Sequence, residues 1–169
     1  TANTGAFGDI NVSGNATITN LTVQSLNVTG DLAVTGNLTV TGLTSVVDLL
    51  VNGHIITAGN APIVSAEAGA GVADILNNIA GPNVTVSGND TAGTITIVVG
   101  ANASAGDIAN LNFAKIFGAT PRVVLTPVGS DSAMLQTYVS GTSTTGFKLG
   151  SNVAPVAGTT YTYNYQILQ

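Results

Sequence analysis

Apolar and polar residues alternate through the first third of the chain on a beat of five or six residues. Gly8 to Ser13 reads GDINVS, Gly14 to Thr19 GNATIT, Gly30 to Thr35 GDLAVT and Gly36 to Thr41 GNLTVT, while NLTVQS (20–25) and LNVT (26–29) keep the spacing between them. Each unit carries an apolar pair two residues apart: Ile10/Val12, Ala16/Ile18, Leu21/Val23, Leu26/Val28, Leu32/Val34 and Leu38/Val40. Side chains two apart on an extended chain share a face. Each pair therefore marks one side of a short strand, and Thr, Ser and Asn take the other, where β-branched hydroxyls suit an exposed pleat. Gly-Asn and Gly-Asp supply the corners. The pattern predicts short β segments joined by turns, and no helical period.

One strand path has nowhere to bury this stripe. A single-chain β-solenoid takes one large and one small inward residue per side, whereas here both are usually large and the repeat spans fewer than 50 residues. It would form only a few coils without caps. Three chains wound about one axis pool their stripes into a shared core, and closed symmetry removes exposed edges. The expected trimer core is Ile10, Val12, Ile18, Leu21, Val23, Leu26, Val28, Leu32, Val34, Leu38 and Val40. Residues 46–60 (VVDLLVNGHIITAGN) continue the extended path with broken register.

The pattern then changes. Val72, Ile75, Leu76 and Ile79 stand at i, i+3, i+4 and i+7 before Gly81-Pro82, which predicts two helical turns. NVTVS (83–87) and TITIVV (94–99) flank GNDTAG and read as a β-hairpin. Further strands are expected near 109–114, 122–126, 135–140, 145–149 and 160–168, a spacing that means an antiparallel sandwich. The fold class is all-β: an elongated homotrimer with an intertwined β-repeat stalk (1–60), a collar with a short helix and a hairpin (61–100), and a C-terminal antiparallel β-sandwich head (101–169).

Composition narrows the function. Charged residues make up 7% of 169, against roughly 25% in an ordinary soluble domain. A net charge of −5 argues against nucleic acid, which rewards clustered Lys and Arg. Mean hydropathy is +0.44, yet Thr, Asn, Ser and Gly interrupt every run well short of the roughly 18 residues a spanning helix needs, so membrane insertion is not expected. The first residues, TANTGAFGDI, have neither the basic start nor the apolar centre of a secretory leader. With no Cys, thiol chemistry and zinc knuckles are excluded.

Candidate chemistry is sparse. His54 stands alone in the stalk with Asp48 six residues upstream, away from any cleft-forming domain, so a Ser-His-Asp triad is not expected. Three copies of His54 on one axis are a candidate metal or anion site. Asp107 and Asp131 lie in turn-like GDIAN and GSDSA, where Asp usually serves the backbone rather than glycoside cleavage. GNDTAG lacks the ligand spacing of a calcium loop, and AEAGAGVAD (66–74) lacks the Lys-Ser/Thr of a phosphate loop. The eight Asn-x-Ser/Thr triplets fall mostly in the repeat, as by-products of turn chemistry. Catalysis, a cofactor and a resident metal are therefore not expected. All three cations and seven of the eight aromatics lie after residue 112. In TYTYNY, Tyr161, Tyr163 and Tyr165 share one face, as a buried row with hydroxyls at the rim or as a sugar-stacking platform. The candidate ligand contacts are Arg122, Asp131, Tyr138 and Lys148.

The run GDIANLNFAKIFGATPRVVLTPVGSDSA (106–133), followed by YVSGTSTTGFKL (138–149) and GTTYTYNYQIL (158–168), resembles the C-terminal domains of bacteriophage tail-fibre and virion fibre proteins. The repeat NLTVTGNLTVTG is similar to phage fibre shafts, and GPNVTVSGNDTAGTITI to a hairpin joining shaft to head. The Phe-x-x-x-Phe then Pro-x-Val line is also loosely similar to trimeric H-type lectins, from which no sugar-binding residue is carried over. The resemblance implies a structural and adhesive virion fibre or spike that contacts other virion proteins and meets a host-surface glycan or protein through its head. Two alternatives stand beside it: a secreted bacterial surface filament or adhesin subunit, placed outside the cell or on its surface, and a virion-associated polysaccharide depolymerase.

Overall fold

The computed structural model describes residues 13–169 and divides the chain into two units, Thr1–Leu50 and Val51–Gln169. In the first unit, residues 13–50 form no hydrogen-bonded strand or helix, and bends recur along them, among others at Gly14, Gly30, Gly36 and Gly42. Their apolar pairs find no cover within the chain. From Ile18 to Val40, the nine stripe residues Ile18, Leu21, Val23, Leu26, Val28, Leu32, Val34, Leu38 and Val40 are 41% to 67% exposed. Ile10 and Val12 lie outside the described residues.

The second unit is almost wholly β. Strands β1 (Ile63–Ala66), β2 (Asn83–Gly88), β3 (Ala92–Val98), β4 (Gly106–Asn112), β5 (Arg122–Val128), β6 (Thr137–Thr142), β7 (Gly146–Ser151) and β8 (Thr160–Leu168) build two four-stranded antiparallel sheets. The orders are β1-β4-β7-β6 and β2-β3-β8-β5. Period-two alternation turns Ile95 and Ile97, Ala109 and Leu111, Phe147 and Leu149 into one core shared by both sheets, which Ile108 joins at a β-bulge. Residues 61–100, expected as a separate collar, contribute β1, β2 and β3 to these sheets.

The Tyr row is structural. Tyr161, Tyr163, Tyr165 and Ile167 all face the core from β8, the strand between β3 and β5. A buried phenol needs a partner. Tyr163 donates to the Ser132 carbonyl (3.1 Å), Tyr165 donates to the Asn89 carbonyl (2.6 Å), and the Tyr161 oxygen accepts from the Val156 amide (3.0 Å). Phe113 meets Phe117 edge to face at 4.8 Å and closes one end of the core.

Three local expectations are corrected. The two-turn helix over Val72–Ile79 does not form. Asp74 and Ile79 instead pair as an antiparallel bridge around a tight turn, whose amides at Leu76 and Asn77 donate to the Asp74 carboxylate (3.1 and 3.2 Å). Asp competing for local amides in this way is the reason it favours turns over helix interiors. Ile75 and Leu76 are left 92% and 97% exposed at the tip. The segment after Val128, read as a loop, is a short helix α1 (Ser130–Met134) entered through Gly129 at φ +84°. β1 was not foreseen.

Candidate functional site

The outward face of the β1-β4-β7-β6 sheet collects the polar chemistry of the second unit. Because side chains alternate, the residues behind the buried Ile108, Leu111, Phe147 and Leu149 point away from the core: Asp107, Asn110 and Asn112 on β4, Lys148 on β7, Tyr138 and Ser140 on β6. A β-bulge between Asp107 and Ala109 resets the alternation on β4, which lets Asp107 share this face with Ser140.

Lys148 is the hub. Its ammonium lies 3.3 Å from the Asp107 carboxylate and 3.4 Å from Glu67, just past β1. The Ser140 hydroxyl, ahead of the Lys148 contact, holds the Asp107 carboxyl below the usual carboxylate range. Asp107 and then Glu67 push the Lys148 ammonium up. Both shifts keep the groups charged at neutral pH, the reverse of the poise that general acid–base work requires. The pairs are half-buried and still screened by water and salt, so they orient the face more than they stabilise it.

Tyr138 lies flat beside this cluster, 40% exposed. It pairs with Gly150 across β6 and β7, and a Cβ on Gly150 would stand 2.7 Å from its ring. Glycine is what lets the ring rest on the strand. On the far side of Lys148, and without Tyr138 in its lining, runs an open groove of about 380 Å³ bounded by Asn110, Asn112, Thr142, Ser143 and Lys148. An aromatic face, two carboxamides, hydroxyls and a fixed charge make a surface that can stack on and hydrogen-bond to a polyhydroxylated or peptide ligand.

The four candidate contacts do not form one site. Tyr138 and Lys148 share this face. Arg122 opens β5, in the gap where β5 approaches Val139 and Thr142 of β6. Asp131 lies in the first turn of α1, beyond the other end of β5, about 20 Å along the strand from Arg122. A second hollow, of about 580 Å³, opens near Asn60, Asp90, Lys115 and Gln169. Asp90 is already engaged there, accepting from the amides of Ala114 and Lys115 at 2.8 and 2.7 Å. His54 is exposed, and among the described residues no three His, Asp or Glu side chains gather as a metal site.

Sequence reasoning missed Glu67, Asp107, Asn110 and Asn112 as members of the face. GDIAN reads as a turn, but it is the first part of β4, and only pairing β4 with both β1 and β7 brings Glu67 and Asp107 to Lys148. Comparison with protein-family models, curated proteins and solved structures yields no match.

Proposed function

We propose that the chain is a homotrimeric virion fibre or spike protein, with an intertwined β-repeat stalk over residues 1–60 and a head that binds a glycan or protein on a host surface. The observation that carries the reading is the exposed stripe from Ile18 to Val40, on chain without a hydrogen-bonded partner strand of its own. Moving each of these half-exposed Leu, Val and Ile side chains into a core is worth about 1 kcal/mol, and unpaired extended backbone also seeks partner strands. Identical stripes on three copies satisfy both needs.

Binding falls to the second unit because it has a folded core and a polar, aromatic outward face, while the repeat offers Thr, Ser, Asn and Gly. Charges fixed as Lys148 ammonium and Asp107 carboxylate favour recognition over catalysis. Three copies of a shallow face give avidity where all can engage at once. Two measurements test the reading. Light scattering at micromolar concentration should return the mass of three 16.7 kDa chains; a folded monomer refutes it. Attachment of labelled full chain to candidate host cells should be competed by unlabelled Val51–Gln169. If residues 1–50 compete and Val51–Gln169 does not, the assignment of binding to the head is wrong.

A further inference from the structure

The two sheets of the second unit present outward faces of different character. The β1-β4-β7-β6 face holds Asp107 and Lys148, with Glu67 at its border. The β2-β3-β8-β5 face is made of Thr, Asn, Ser and Gln with a few aliphatics, and among its described residues Arg122, at the first position of β5, is the one ionisable side chain. We infer that this face, whose single charge sits at one end of β5, is the surface through which the heads of neighbouring copies pack, leaving the Tyr138–Lys148 face turned to the outside. The inference rests on the trimeric reading above and names the head surface that reading requires.

Charge depletion at the centre is the compositional mark of protein interfaces. It matters most in a rotationally symmetric assembly, where a charge near the axis meets its own copies. Exposed aliphatics also gather here: Val124 and Val128 on β5 and Leu168 on β8 are 52%, 44% and 63% exposed. Among Val124, Thr126, Asn164 and Gln166 the surface dips into a hollow of about 200 Å³, enough to receive a side chain. At the β5 edge of the sheet Pro127 removes a backbone donor, which disfavours adding a strand there. Four strands about 4.8 Å apart and some seven residues long give a plan of about 450 Å². A stable interface takes about 800 Å² per partner. The face is thus a substantial part of an interface, and the stalk stripe supplies the rest.

The absence of Cys makes the test direct, since any introduced thiol is the only one present. Full-length Thr126→Cys and Asn164→Cys place it on the β2-β3-β8-β5 face, Ser65→Cys and Asn112→Cys on the other; all four positions are exposed in the single chain. Each purified assembly is sized by light scattering and then reacted with a maleimide under native conditions. The expected result is a three-chain mass, with Thr126→Cys and Asn164→Cys at least about tenfold slower than the other two, which corresponds to about 1.4 kcal/mol for opening the interface. A trimer in which all four react equally fast overturns the inference and leaves the stalk trimer standing. A trimer protected at Ser65→Cys and Asn112→Cys instead overturns it too, by placing the other face inside. A monomer overturns this inference together with the trimeric reading.

Discussion

Removing one oxygen atom, in Tyr165→Phe, should destabilise the head measurably. Tyr165 is 1% exposed, and its hydroxyl donates to the Asn89 carbonyl at 2.6 Å. Asn89 is itself buried at the β2–β3 turn, where its side-chain oxygen accepts from the Thr91 amide at 2.8 Å. The phenol therefore ties the centre of one sheet to the turn that sets the register of its edge hairpin. Phenylalanine keeps the ring and its contacts but strands the Asn89 carbonyl without this donor, a loss of about 1–3 kcal/mol. For a unit of this size each kcal/mol is worth about 4 °C in Tm, so the expected fall is about 4–12 °C. Near-ultraviolet circular dichroism of the full chain, at fixed protein concentration because association raises Tm, reads it. Tyr138→Phe, whose ring lies half open on the outward face, should stay within about 0.5 kcal/mol of the parent. If Tyr165→Phe is neutral, or Tyr138→Phe costs as much, the account of the buried Tyr row is wrong.

Burial pushes the Tyr163 and Tyr165 phenols up to about 12 from 10. The folded head holds these protons more tightly than the unfolded chain, so their contribution is complete below pH 10 and is lost between pH 10 and 12; cooperative unfolding in that window should coincide with their phenolate absorbance, and titration at 10 in an intact fold contradicts the burial. Lys148→Met should raise the Asp107 pKa from its depressed value, moving to higher pH the acid range in which that carboxylate's contribution disappears. Carboxyl-resonance titration checks the shift, and an unchanged Asp107 refutes the coupling. Leu32→Asp should abolish the trimer by placing three carboxylates on one apolar axis, where each unpaired charge costs several kcal/mol; an unchanged mass in solution refutes the shared core.

What was legible in the sequence follows from how local each signal is. The strict alternation of TYTYNY fixes both the strand and its buried face, and Asn-Asp between two β-branched runs marks the β2–β3 hairpin, because both depend only on neighbours. β1 escaped notice because Ile63–Ala66 is four residues long and becomes a strand only by pairing with β4, more than forty residues on. Val72, Ile75, Leu76 and Ile79 satisfy helical spacing, yet Asp74 takes the amides a helix needs. The same gap separates the parts of the candidate face. Tyr138 and Lys148 could be named from composition, but the partners of Lys148 come from segments that only the sheet order makes neighbours, and a bulge invisible to period-two counting turns Asp107 outward.

The position of β8 also has a consequence in time. It lies at the centre of its sheet, between β3 and β5, yet it is made after the other seven strands of the two sheets. Roughly sixty residues separate Val98, at the end of β3, from Thr160, where β8 begins. At about 5–20 residues per second of synthesis, the inner edge of β3 waits some 3–12 seconds for its partner, with Ile95 and Ile97 uncovered. Open, apolar strand edges are where nascent chains capture one another. Translation that stops before residue 160 would therefore leave not a weaker head but the β2–β3 hairpin and a lone β5 with no strand to join them, material for proteases and chaperones.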